Sequence, residues 1–318
     1  MTGTDPTGGQ TRHVLDVDDL GPDGLAQVLA LATREPGSLP RSLEGRGVAL
    51  VFEKPSARTR NSSELATVAL GGHPVYIQGT EVGLDVRETT EDVARTLACY
   101  HRVLCARVMD HTTLGRMAAA LDAAGVAVPV VNLLSDRAHP CQALADLVTL
   151  RQCFGADGVR DRTVAYIGDA NNVWRSLALA ASMAGITTRV ASPDGYGPST
   201  ADVDLVRSFG GELLVTDDPA EAATGADALY TDVWTSMGQE DEAAARRAAF
   251  AGFRVDERLV GLASPDAIVL HCLPAHRGEE ISAGVVDGPR SAVWQQAANR
   301  MHGMRGLLSW VTDTGGVA

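Results

Sequence analysis

Residues 47–70 read GVALVFEKPSARTRNSSELATVAL, and this stretch decides the fold. Its first six residues are an unbroken apolar run, as expected of a strand covered on both faces. A segment of helical length then starts at Ser56. The same alternation persists almost from end to end and predicts an α/β architecture with parallel sheets. In the first half, strands are expected over 47–52, 74–77, 102–107 and 128–133, and helices over 56–70, 89–100, 113–124 and 140–154. In the second half, strands are expected over 163–167, 188–191, 212–215, 228–230 and 267–270, again separated by helices.

The chain has 318 residues, which at roughly 150 residues per domain suggests two domains. The expected arrangement is two parallel β-sheets, each flanked by helices, in domains spanning 1–150 and 151–292. The polar segment 155–162 separates them. A last helix, over about 293–318, is expected to pack back on the first domain. Residues 240–254 read as a solvated helix followed by a loop, and residues 1–10 as a fraying end.

With 27 Lys+Arg against 40 Asp+Glu, the net charge is −13, which disfavours binding to nucleic acid or anionic membranes. No apolar run approaches the ~20 residues of a membrane span. The five cysteines are odd in number and show no CxxC spacing, arguing against a disulfide framework or structural zinc site and for a reducing cytoplasm. An acidic chain can hold an anionic substrate only by gathering its few cations in one place.

Ligands on open α/β sheets bind beyond the carboxyl ends of the strands, so the residues following each expected strand carry the functional reading. After the first come Lys54, Ser56, Ala57, Arg58, Thr59 and Arg60. These cations and hydroxyls lie at a helix start whose N–H groups still need partners, a combination that binds phosphate. A capped, solvated helix start is the alternative; the buried strand and the concentration of positive charge favour phosphate. Arg107 ends the third strand, where a guanidinium could reach the same rim, although a lone strand-end Arg more often makes a surface ion pair. His139 and Gln142 open the next helix three residues apart, on one face; such a histidine can donate to a carbonyl oxygen or simply cap the helix. In the second half, the turn Gly168-Asp169-Ala170-Asn171-Asn172 lacks the glycines of a dinucleotide fingerprint. Asp232 and Ser236, four apart after a strand, suit an amino-acid zwitterion. Cys272 precedes Leu273-Pro274 at the last strand's end, usually a structural setting but here on the functional edge.

Together the segments FEKPSARTR (52–60), HPCQ (139–142), DVWTSMGQE (232–240), HCLP (271–274) and NRMH (299–302) resemble the ornithine carbamoyltransferase family, in the family's order and over about residues 48–308. The resemblance implies transfer of the carbamoyl group of carbamoyl phosphate to the side-chain amine of ornithine, with no metal or organic cofactor and with a homotrimer or multiple of trimers as the assembly. It implies that Ser56, Ala57, Arg58 and Thr59 hold the phosphate and that Arg107 bridges phosphate and carbonyl oxygen. His139, Gln142, Arg300 and the Cys272 and Leu273 carbonyls would bind the carbamoyl end. Asn172, Asp232, Ser236 and the Met237 backbone would hold the amino acid. Arg107, His139, Cys272 and Asp232 would be the catalytic set.

The donor is already activated, so the expected chemistry is positioning and charge stabilisation without a covalent enzyme intermediate. An ammonium of pKa about 10.4 is neutral only about one part in a thousand near pH 7.4, costing roughly 4 kcal/mol. Asp232 favours the charged form and is therefore assigned chiefly to the α-ammonium, with Cys272 in a possible proton relay. Lys54, Arg58, Arg60, Arg107 and Arg300 are expected to converge. Departures from the family's commonest pattern fall at Ala57, at Arg175, at Ala298 and in the loop 79–88, where Glu81 would be unfavourable near phosphate and Arg87 is the better partner. The alternatives are a relative that carbamoylates diaminopropionate, lysine or putrescine, and a non-catalytic binding protein.

Overall fold

The computed structural model describes residues 11–235 and 240–313. It carries, in chain order, α1 (Gly21–Thr33), β1 (Gly47–Phe52), α2 (Ala57–Ala69), β2 (His73–Gln78), α3 (Gly79–Val82), α4 (Thr90–Ala98), β3 (His101–Arg107), α5 (Thr112–Ala123), β4 (Val130–Leu134) and α6 (Pro140–Phe154). There follow β5 (Thr163–Ile167), α7 (Asn172–Met183), β6 (Thr187–Ala191), α8 (Thr200–Ser208), β7 (Leu213–Thr216), α9 (Pro219–Ala223) and β8 (Ala228–Thr231). The chain closes with α10 (Ala243–Ala249), α11 (Glu257–Val260), β9 (Ile268–His271), α12 (Ala283–Val286) and α13 (Val293–Thr312).

The described residues divide into two compact units, one comprising those up to Cys141 together with those from Arg300, the other those from Gln142 to Asn299. The first holds a four-stranded sheet in the order β2-β1-β3-β4, and the second a five-stranded sheet in the order β7-β6-β5-β8-β9. Both sheets are wholly parallel. Central strands of a parallel sheet are covered on both faces, and Val48 through Phe52 are accordingly all buried. In the first unit Ala49, Val51, Leu104 and Ala106 pack with Leu114, Met117 and Leu121 of α5. In the second, Ala165, Ile167, Leu229 and Val269 pack with Phe250, Phe253, Val255 and Leu259.

In each sheet, successive connections run to one side of the first strand and then to the other. The reversal falls between β1 and β3 in the first unit and between β5 and β8 in the second. Such a switch point leaves a crevice at the carboxyl ends of the two strands. That crevice is where each unit carries its unusual polar residues.

The C-terminal part of α13 packs on α1, as expected of the last helix. Gly306 allows the close approach: a Cβ there would lie 2.5 Å from the Val28 carbonyl oxygen and 2.8 Å from the Ala32 nitrogen. Arg305 Nη2 donates to the Ala32 carbonyl at 2.9 Å at the carboxyl end of α1.

Two elements differ from expectation. The sequence reading passed over α1, although Leu25, Val28, Leu29 and Ala32, at helical spacing, are its buried face. The segment 240–254 is not simply solvated: α10 buries Arg246, and Phe250, Phe253 and Val255 beyond it enter the core. The fraying expected for residues 1–10 concerns positions outside the described residues.

Candidate active site

In the first unit, Ser56 is the N-cap of α2, its hydroxyl accepting from the Thr59 N–H at 3.3 Å. The Ser56 hydroxyl also donates to Thr59 Oγ1 at 3.2 Å, and Arg300 Nη2 donates to that same oxygen at 3.1 Å. The parallel register places Arg107 beside Phe52, so β3 delivers its guanidinium next to the start of α2. Arg107, His139 and Arg300 are all buried, whereas Arg58 is exposed. Among the described residues, Arg107 Nε has no hydrogen-bond partner.

The electrostatics point one way. Burial, followed by repulsion from Arg300 and Arg58, brings the Arg107 pKa down to about 10, so it stays charged near neutral pH. Burial also pushes His139 well below the usual histidine range, with Arg300, Arg107 and Arg58 adding to the effect. Three guanidiniums thus act on one neutral imidazole at the positive end of a helix. A bound anion would relieve their mutual repulsion.

Arg60 does not join this cluster. It lies two residues past Arg58, on another face of the helix, where its Nε donates to Glu64 at 2.8 Å and its guanidinium lies 3.8 Å from the Tyr76 ring centre. Glu81 is turned back to the start of α3, accepting from the Gln78 N–H at 3.3 Å. Arg87 is exposed.

The second unit gathers its polar groups around Asp232. One carboxylate oxygen accepts from the Val233 N–H at 2.7 Å and from the Cys272 thiol at 2.9 Å. The other accepts from Asn171 Nδ2 at 3.0 Å. Asn171 is also the N-cap of α7, accepting from Val173 and Trp174. The loops after β5, β8 and β9 therefore meet on one carboxylate. Asn172 occupies the first position of α7. Ser236 and Met237 lie outside the described residues.

Behind Cys272, His271 and Glu280 are fully buried, with His271 Nε2 3.1 Å from Glu280 Oε1. His271 Nδ1 accepts from the Leu273 N–H at 2.8 Å, so Nε2 carries the proton that meets Glu280. Leu273 itself has φ of 62°, a conformation that non-glycine residues seldom adopt. Gln142 donates from Nε2 to Asp146 Oδ1 at 2.7 Å. Arg175, the departure noted after the Asn pair, is buried and donates to Asp202 at 2.7 Å.

Sequence reasoning missed Asn171, Asp146 and Arg246. An Asn just before the apolar start of a helix is an N-cap signal, and its position after β5 would have suggested more. Asp146 lies four residues beyond Gln142 on the same helix face. Nothing local in an Ala/Glu/Arg-rich segment distinguishes Arg246 from its neighbour Arg247.

The two halves of the chain match two models of one family. Residues 12–152 match the carbamoyl-P binding domain of aspartate/ornithine carbamoyltransferase, and residues 160–311 its Asp/Orn binding domain. An ornithine carbamoyltransferase of Acidothermus cellulolyticus is 52% identical over 316 residues, covering 96% of this chain and 98% of its own. The ornithine carbamoyltransferase structure from Pyrococcus furiosus aligns with a TM-score of 0.89 and 40% identity, covering 96% of this chain and 98% of that one. The one from Thermus thermophilus aligns at 0.85 and 43%, covering 96% and 100%. On the motifs, the fold and these matches, the chain belongs to the aspartate/ornithine carbamoyltransferase family.

Proposed function

We propose that this protein is an ornithine carbamoyltransferase, moving the carbamoyl group of carbamoyl phosphate to the side-chain amine of L-ornithine to give L-citrulline and phosphate. The observation that carries the reading is the group of Arg58, Arg107 and Arg300 acting on neutral His139 beside the capped start of α2. The first domain, about residues 1–150 with the last helix, is the carbamoyl phosphate domain; the second, about 151–292, is the ornithine domain.

Ser56, Arg58, Thr59 and the Ala57 N–H hold the phosphate at a helix N-terminus. Arg107 and Arg300 stabilise the negative charge that grows on the carbonyl oxygen as the amine attacks, and His139 contributes as a neutral hydrogen-bond donor. Gln142 and the Cys272 and Leu273 carbonyls hold the carbamoyl amide. Asn172, Asp232, Ser236 and Met237 hold the amino acid. The thiol bond from Cys272 to Asp232 supports a proton route from the reacting amine, and the leaving phosphate can take the final proton. No step needs a covalent enzyme intermediate.

A homotrimer and a cytoplasmic location complete the proposal, resting on the family resemblance and on five cysteines that are all free thiols. No described helix is long and apolar enough to cross a membrane. The test is carbamoyl phosphate offered with ornithine, lysine, diaminopropionate and putrescine in parallel. Citrulline should dominate; preferential formation of another ureido product, or no transfer at all, would reject the reading.

A further inference from the structure

We propose that Asp146 is the positioning residue that orients the Gln142 amide for the carbamoyl group, an assignment that rests on the carbamoyl-transfer reading above. Asp146 lies on α6 one turn beyond Gln142 and is fully buried. Its Oδ1 accepts two hydrogen bonds of 2.7 Å each, from Nε2 of Gln142 and from Nε2 of Gln296 on α13. Gln296 Oε1 in turn accepts from the His271 N–H at 2.8 Å, at the end of β9 and next to Cys272. Gln142 and Gln296 are themselves buried.

The two ends of a glutamine amide are almost identical in shape and opposite in hydrogen-bonding sense. A carboxylate can only accept, so it holds the NH2 end and removes the ambiguity. With Nε2 on Asp146, the assignment turns Gln142 Oε1, an acceptor, toward the carbamoyl group. A carbamoyl group ends in an NH2, which needs an acceptor; a reversed Gln142 would set donor against donor. Gln296 provides the internal check: with its Nε2 held by the same carboxylate oxygen, its Oε1 is the atom that accepts from His271. One buried carboxyl oxygen therefore sets two amides and ties the Gln142 helix to the strand end that carries Cys272. Asp146 makes no contact with substrate in this scheme and acts through Gln142.

Asp146→Leu keeps a similar size but removes the oxygen that accepts from both glutamines, allowing the Gln142 amide to turn over. Calorimetric titration with two probes separates the effects: phosphonoacetamide, which carries the amide, and inorganic phosphate, which does not. Asp146→Leu should weaken phosphonoacetamide about 10- to 100-fold and leave phosphate affinity unchanged. Asp146→Asn, whose side-chain oxygen can still accept from both Nε2 groups, should bind phosphonoacetamide within a few-fold of wild type. The KM for carbamoyl phosphate should follow phosphonoacetamide, and the inhibition constant of phosphate should stay constant. Undiminished phosphonoacetamide binding in Asp146→Leu, equal loss of both probes in that variant, or an equal loss of phosphonoacetamide binding in Asp146→Asn would overturn the assignment alone. Failure of the wild-type protein to bind either probe would overturn the underlying reading, and the assignment with it.

Discussion

His139 is buried and under the influence of three guanidiniums, which hold its pKa well below the usual histidine range. In the unfolded chain the same imidazole titrates near ~6.5. Between the two values the unfolded state binds more protons, so stability falls as pH drops below about 6.5, by up to roughly 1.4 kcal/mol per pH unit from this one group. Above that pH both states are neutral and the contribution is constant. Urea denaturation between pH 7.5 and 5.5 should show a smaller loss for His139→Gln than for the wild type; parallel losses would mean that His139 is not held neutral. Cys272 makes a different prediction. Its thiol donates to Asp232, so Cys272→Ser should bind ornithine within a few-fold of wild type while turnover falls roughly 10- to 100-fold. Unchanged turnover would remove it from the proton route.

At the scale of elements, α10 is attached to its own unit through Arg246. Its guanidinium pairs with Asp169 and donates to the Trp234 carbonyl, and it lies 4.9 Å from the Tyr196 ring centre and 5.6 Å from that of Phe250. It thus joins the loops after β5, β6 and β8. Burial pushes the Asp169 carboxyl up, and Arg246 pulls it back down. Arg246→Met leaves that carboxylate without its partner and should cost roughly 3 kcal/mol in thermal or urea unfolding. Adding Asp169→Asn should recover much of it, and failure to recover would show that packing, not charge, carries the effect. The helix pair α1 and α13 depends instead on backbone proximity. Gly306→Ala would bring a methyl to 2.5 Å from the Val28 carbonyl oxygen and should destabilise by about 1–3 kcal/mol. Wild-type stability in urea would refute the close approach.

For the whole molecule, the balance of −13 conceals a local reversal of sign, because Arg58, Arg107 and Arg300 gather while Arg60, Arg116, Arg175 and Arg246 are spent on ion pairs elsewhere. Binding of a doubly charged phosphate should therefore weaken with salt more than binding of a singly charged amino acid, since the Debye length falls from ~10 Å at 0.1 M to ~3 Å at 1 M. Kinetics across that range should raise the KM for carbamoyl phosphate more than that for ornithine. Equal sensitivity would argue against the arginine cluster as the donor site.

Much of this was written in the local pattern. Apolar runs such as 47–52 and 163–167 specify buried parallel strands because their hydrophobicity is continuous, and the polar residues after them identify the sheet edges that bind ligands. The order of motifs from Ser56 to Arg300 likewise indicated the family. What a linear reading left undecided was the partner of each charge. Arg58 and Arg60 look equivalent in SARTR, yet helical geometry turns one toward the cluster and the other toward Glu64 and Tyr76. Asn171, the neighbour of the expected Asn172, meets Asp232 across 61 positions of chain. Asp146, read as one residue of a helical run, proves to hold Gln296 across 150. Burial and strand formation follow from short-range composition and were set by the sequence alone. Hydrogen-bond and ion-pair partners depend on contacts between distant segments, and only the tertiary structure chose them.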